Sequence, residues 1–277
     1  MGRTWFITGV SSGFGRAIAD AALDAGDTVV GTVRTEEHRK AFEAVAPGHS
    51  YASILDVTDE AAIAPVVDAI ERDVGAIDIL VNNAGYGHEG LVEESTMDEL
   101  RRQFDVNVFG AVAVIKAVLP HMRARRRGRI LNITSMGGLM TLPGLAYYHG
   151  SKFALEGISE SLGKEVKHLG IHVTAVEPGS FRTDWAGRSM VRAARSIADY
   201  DQLMDPIRER RLAVSGKQLG DPAKLAAALL TLVAADAPPA HLLLGSDARR
   251  LVSEKLELLG EEFADWNDLT ISTDAPL

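Results

Sequence analysis

No cysteine occurs in the 277 residues. Disulfides and thiolate chemistry are therefore excluded, and a reducing compartment fits. Also missing is any run of apolar residues that reads as long enough to span a bilayer. Met1 to Phe6 enters a strand-like run without a signal-peptide pattern, and Phe6 stands where a myristoylation motif needs Ser or Thr. A cytoplasmic location with no membrane partner is expected. Positive charge is not in excess: 29 Lys and Arg face 38 Asp and Glu, a net charge of −9. That balance favours solubility and speaks against a nucleic-acid partner. His88, His121, His149, His168 and His172 show no close metal-ligand spacing, so no metal site is expected.

Hydrophobic residues make up 46% of the chain, enough for one large core, and 1–277 reads as a single domain. Short apolar runs bounded by Gly, Asp or Pro read as strands at Thr4–Thr8, Thr28–Arg34, Tyr51–Val57, Asp78–Asn82, Arg129–Ser135, Ile171–Glu177 and Leu242–Leu244. Helical patterns lie between them, at Gly15–Ala25, Asp59–Val74, Met97–Arg123 and Leu145–Leu169. This alternation predicts an α/β fold: a doubly wound parallel sheet of about seven strands with helices on both faces. Phe181 to Gly220 breaks the alternation. It carries scattered apolar residues (Phe181, Trp185, Met190, Ile197, Leu203, Met204) without a strand pattern, so residues 180–220 read as a substrate lid.

Thr8-Gly9-Val10-Ser11-Ser12-Gly13-Phe14-Gly15 follows the first strand and opens a helix. Glycine at 9 allows a tight turn, at 13 a close approach of backbone to a pyrophosphate, and at 15 close packing of helix on strand. Ser11, Ser12 and Phe14 complete this candidate dinucleotide turn, and the helix start favours the anion. NAD sites commonly place an acid about 20 residues later, at the end of the second strand. Here that strand ends in Arg34, which suits a 2′-phosphate. A solvated arginine at a strand end is the plain alternative.

Tyr148 and Lys152 are four apart in a helical pattern and so share a face. An ammonium beside a phenol favours phenolate and would prepare the tyrosine for proton transfer near neutral pH; surface neighbours at helical spacing are the plain alternative. His149, turned about 100° from Tyr148, reads as packing or surface. Ser135, Asn83-Ala84-Gly85 and Glu177-Pro178-Gly179 each end a strand at the carboxyl edge, where open α/β sheets bind ligands.

These residues together resemble the short-chain dehydrogenases/reductases. The resemblance rests on Thr8-Gly9-x3-Gly13-x-Gly15, Asn82-Asn83-Ala84-Gly85, Asn107, Ser135, Tyr148-x3-Lys152 and Pro178-Gly179-x3-Thr183, in that order, over about residues 4 to 185. It implies a Rossmann-like enzyme that exchanges a hydride between NADP(H) and a carbonyl or secondary alcohol, with NAD(H) as a second cofactor. Tyr148 would be the acid/base, with Lys152 lowering its pKa and bonding the nicotinamide ribose. Ser135 would hold the substrate oxygen, and Asn107 would support a water relay behind Lys152. Asp56 and Val57 would bracket the adenine, and Asn83, Ala84 and Gly85 would line the groove. Pro178, Gly179 and Thr183 would lie along the nicotinamide. Residues 135–143 and 151–157 resemble the steroid and retinoid dehydrogenase branch, which implies an apolar substrate.

Two further features carry expectations. Arg123, Arg125, Arg126, Arg127 and Arg129 read as cations at a helix C-terminus rather than a nucleic-acid patch. The helices Met97–Arg123 and Leu145–Leu169 resemble those through which family members form homodimers or homotetramers, with Leu155, Ile158 and Leu162 as an apolar stripe. The alternative to an enzyme is a non-catalytic dinucleotide sensor. The presence of Ser135, Tyr148 and Lys152 together favours the enzyme.

Overall fold

The computed structural model describes residues 2–187 and 189–275. The chain runs β1 (Thr4–Ile7), α1 (Gly13–Asp24), β2 (Thr28–Val33), α2 (Glu36–Glu43), β3 (Ser50–Ile54), α3 (Glu60–Asp73), β4 (Ile77–Asn82), β5 (Gly87–Glu89) and α4 (Met97–Phe104). After a π turn at Asp105–Gly110 come α5 (Ala111–Arg125), β6 (Gly128–Ile133), α6 (Ala146–Val166), β7 (Ile171–Pro178), β8 (Met190–Arg192), α7 (Asp201–Ala213), α8 (Pro222–Ala234), β9 (His241–Leu244), α9 (Ser246–Asp265) and α10 (Asn267–Ile271). Seven strands form one sheet in the order β3-β2-β1-β4-β6-β7-β9, and every pairing in it is parallel.

Both faces of this sheet are covered, which explains why its strands read as unbroken apolar runs. Side chains alternate across β1. Trp5 and Ile7 pack with Ile18 and Ala22 of α1 and with Leu225 and Leu229 of α8. Phe6 faces the other way, onto Ile63 and Val67 of α3, Val114 and Val118 of α5, and Leu162 and Val166 of α6. Strand order runs outward from β1 toward β3 on one side and from β4 toward β9 on the other. The crevice at the carboxyl ends of β1 and β4 is therefore the topological switch point, the place where such sheets bind ligands.

Four expectations need correction. The apolar run Met97–Arg123 is not one regular helix, because the π turn interrupts it around Asn107. By length and a mean hydropathy of 1.3, Met97–Arg125 is apolar enough to cross a membrane, contrary to the sequence reading, yet Val114, Ile115, Val118 and Met122 pack in the core. The segment 181–220 does contain a strand. β8 pairs in parallel with β5 in a separate two-stranded sheet, and α7 follows it. Finally, the stripe on α6 is not a free face. Leu155 and Leu162 are buried, while Met97, Phe109 and Phe153 are the exposed apolar residues of α4, the π turn and α6.

Candidate active site

The glycine turn joins β1 to α1 with Gly9 at φ 76° and Gly13 at φ 59°, conformations that an L side chain rarely adopts. A Cβ at Gly15 would overlap the Gly9 carbonyl. Gly9 N–H donates to Thr32 Oγ1 at 2.9 Å, which fixes the turn against β2. Ser12 is the N-cap of α1, but its side chain makes no capping bond, and no acid lies in the first turn. The helix start thus presents N–H groups toward the crevice without a side-chain acceptor, a cradle that fits a pyrophosphate. Ser11 is exposed, and Ser12 and Phe14 are half-buried beside it. The Phe14 ring packs edge-on against Phe181, 5.2 Å between centroids.

Asn83 has a more structural part than lining a groove. Its Nδ2 donates to the carbonyls of Thr8 (2.8 Å) and Gly9 (3.0 Å), so it ties the end of β4 to the glycine turn. Thr8 Oγ1 accepts from the N–H groups of Asn83 and Ala84, both at 2.9 Å. Gly85 is exposed at the same edge, and a Cβ there would press on Asn107 Oδ1. Beyond β2, Arg34 is exposed. Asp56 lies close enough for the Arg34 charge to help lower its pKa, after the stronger Thr58 N–H bond. Val57 is buried, where a Cβ on Gly110 of the π turn would collide with it.

Ser135, Tyr148 and Lys152 come together as the sequence predicts. Ser135 follows β6, and its Oγ accepts from Gly137 N–H at 3.0 Å. Tyr148 is 7% exposed, with Ser135 close enough to its phenol to favour the ionised form. Lys152, one turn further along α6, is also 7% exposed. Its Nζ donates to the Ile133 carbonyl at 2.8 Å and lies 5.8 Å from the Tyr148 ring centroid.

The electrostatics differ from expectation. Burial pushes Tyr148 up to about 12, and only the Ser135 bond opposes it. Burial takes Lys152 itself down to about 8 against the nearby Glu156, and its ammonium is aimed at a carbonyl. In this arrangement Tyr148 is a protonated phenol at neutral pH, ready to donate.

Asn107 sits in the π turn, a local distortion that often marks functional sites. Its Oδ1 accepts from Tyr86 N–H (3.1 Å), and its Nδ2 lies 3.1 Å from both the Tyr86 carbonyl and Ser151 Oγ. It therefore stitches α6 to the loop after β4. Pro178 ends β7, Gly179 N–H donates to the Leu244 carbonyl at 2.8 Å, and Thr183 caps the short turn that carries Trp185. Trp185 lies over Tyr148 with 5.1 Å between ring centroids, and Leu145 and Met190 complete an apolar wall.

Sequence reasoning missed two arrangements. Glu177 does not face the rim. It is fully buried against Glu156 and His241, with His241 Nδ1 2.8 Å from Glu156 Oε1 and 2.9 Å from Glu177 Oε1. Burial, then the adjoining Glu156, raises Glu177 to about 8. Buried Glu89 meets three lid arginines: Arg208 (2.9 Å), Arg211 (3.2 Å) and Arg192 (3.5 Å). These partners lie on separate elements, at least 21 residues apart in sequence, so no local spacing signals them.

A doubly wound parallel sheet with a Ser–Tyr–Lys group at its carboxyl edge defines a class of nucleotide-dependent dehydrogenases. This chain belongs to the short chain dehydrogenase family, which it matches over residues 3–192. A short-chain dehydrogenase from Streptomyces avermitilis has the same structure with a TM-score of 0.92, at 40% identity over 99% of this chain and 98% of that one. A gluconate 5-dehydrogenase from Burkholderia cenocepacia, solved with NADP and tartrate, superposes with a TM-score of 0.75 at 28% identity, covering 90% of this chain and 96% of that one. A 3-ketodihydrosphingosine reductase from Bacteroides thetaiotaomicron is 38% identical over 235 residues, 84% of each chain. The protein is accordingly an NAD(P)(H)-dependent oxidoreductase acting on carbonyl or alcohol groups.

Proposed function

We propose that the chain is a cytoplasmic, NADPH-preferring reductase of apolar ketones or aldehydes. One observation carries this reading: Tyr148 is buried beside Ser135 and Lys152 beneath an apolar wall of Trp185, Leu145 and Met190. The dinucleotide, when bound, supplies the hydride. The chain's own residues do the rest. Gly9 to Gly15 and the α1 start hold the pyrophosphate, and Arg34 takes the 2′-phosphate. Pro178, Gly179 and Thr183 flank the nicotinamide end. Ser135 and Tyr148 donate hydrogen bonds to the substrate oxygen as negative charge builds there, which stabilises the transition state. Tyr148 then transfers its proton to that oxygen. Lys152 lies behind the phenol and favours its ionised form once its ammonium turns from Ile133 toward Tyr148.

Support for an apolar substrate comes from the wall over Tyr148, from residues 135–143 and 151–157, which resemble the steroid and retinoid branch, and from the relative that reduces 3-ketodihydrosphingosine. Support for a homodimer or homotetramer comes from Met97, Phe109 and Phe153, large apolar side chains exposed on α4, the π turn and α6. A nucleic-acid role for the arginine cluster finds little support, because Arg125 pairs with Glu71 and Arg127 with Asp78.

The test is fluorescence titration with NADPH and NADH, followed by ketones, aldehydes, steroids and retinoids at 340 nm. NADPH oxidation by an apolar carbonyl is expected. Tight nucleotide binding without turnover on the whole panel would favour the sensor.

A further inference from the structure

His149 follows Tyr148 directly, and it is buried, not on the surface. Its Nδ1 lies 2.8 Å from the Gly137 carbonyl, which can only accept. Its Nε2 lies 2.9 Å from the Leu142 N–H, which can only donate. The two partners together fix the neutral tautomer with the proton on Nδ1. The imidazole thereby bridges both ends of the loop that follows Ser135. That loop begins with Gly137 N–H donating to Ser135 Oγ and Gly138 N–H donating to the Ser135 carbonyl at 2.8 Å. Space for the ring depends on Gly137, because a Cβ there would stand 2.7 Å from His149 Nδ1. On the far side, Arg211 of α7 donates to the Pro143 carbonyl at 2.7 Å, so the lid grips the same loop one residue after Leu142.

We propose that His149 is a positioning residue that sets the distance between Ser135 and Tyr148 by clamping residues 137–142 in its neutral form. Its backbone is continuous with Tyr148, and its ring holds the Ser135 loop, so any shift of the ring moves the two oxygen-binding groups relative to one another. Protonating Nε2 would set two donors against each other at Leu142 and release that end of the loop. The charged and titratable groups facing it are Arg211 from the lid and Tyr148, whose ring centroid is 5.9 Å away. Burial, then the Arg211 charge, keeps His149 below the ordinary histidine value, while the Gly137 bond opposes them.

The inference rests on the reductase reading, and its test has arms that do not. His149→Leu removes both bonds, and His149→Gln restores one donor and one acceptor. His149→Leu is expected to lower kcat by about 10- to 100-fold, as misplacement of reacting groups does, with KM and the NADPH Kd within about twofold. His149→Gln is expected to recover most of that loss and to move the acidic limb of the kcat profile to lower pH. Retention of wild-type kcat in His149→Leu overturns the proposal. So does equal loss in both variants accompanied only by a lower Tm. Nitrogen-15 NMR of the wild-type imidazole needs neither substrate nor a variant that folds. A neutral ring protonated on Nδ1 is expected at pH 7, and an imidazolium there overturns the clamp even if no carbonyl is ever turned over.

Discussion

The floor of the site and its lid are held by different physics. The floor, made of the glycine turn, the end of β4, the Ser135 loop and α6, is fixed by short hydrogen bonds among buried and half-buried groups: Asn83 on Thr8 and Gly9, Asn107 on Tyr86 and Ser151, Lys152 on Ile133. The lid from Phe181 to Gly220 buries few apolar anchors, among them Phe181, Met190, Ala193 and Met204. Beyond the short β5–β8 ladder and the Arg211 bond to the Pro143 carbonyl, it is held largely by ion pairs. Arg208 and Arg211 hold Glu89, and Arg195 joins Glu94 (3.0 Å), Asp201 and Asp205. Short-range directional bonds suit groups that must stay in register for proton transfer. Ion pairs, fewer and separable, suit a segment that must open for a substrate.

The comparison can be broken at several points, beginning with the largest effect. Tyr148→Phe should reduce turnover about 10²- to 10⁴-fold, the range for loss of a general acid. The NADPH Kd should stay within about twofold, because the floor keeps its other bonds. Retained turnover would remove Tyr148 from the proton path. Glu89→Gln should loosen the lid and leave the floor intact, since it strands Arg208 and Arg211 beside a neutral amide. A local loss of about 3 kcal/mol is expected, as for a broken buried pair. Limited proteolysis should then cut within 181–220 at least tenfold faster at unchanged nucleotide affinity. Equal protection would show that the apolar anchors and the β5–β8 ladder hold the lid without Glu89.

Arg34→Ala should weaken NADPH binding by about tenfold, the loss of one charge-assisted contact, and NADH binding hardly at all. Equal effects would detach Arg34 from the 2′-phosphate. The smallest effect concerns Glu177, whose folded pKa is raised. Its contribution to stability is complete below the usual carboxylate range near 4.5 and is lost as pH rises through about 8. Urea midpoints should therefore fall between pH 6 and pH 9 in the wild type and fall less in Glu177→Gln. Identical slopes would mean that Glu177 does not carry the charge change.

Much of this architecture is legible in the sequence because it is local or periodic. The short apolar runs mark all seven strands of the main sheet, and only their ends shift by a few residues, as with β3 at Ser50–Ile54. The glycine turn is legible because φ values of 76° and 59° demand glycine at 9 and 13. The four-residue step from Tyr148 to Lys152 is legible because a helix stacks such residues on one face. What escapes is anything that depends on distant partners. The lid strand β8 has three residues and exists only because β5 supplies its ladder. The bend at Asn107 depends on Tyr86 and Ser151.

The sequence by itself determined the α/β class and the glycine turn between β1 and α1, and it placed Tyr148 and Lys152 on one helical face, since each follows from periodicity, turn chemistry or helical spacing. The tertiary structure decided the charge states and the clamps. It buried Tyr148 deeply enough to favour the phenol, aimed Lys152 at Ile133, and set His149 between Gly137 and Leu142. Desolvation and long-range hydrogen bonds arise only when elements from separate parts of the chain pack together, and no local pattern of residues encodes them.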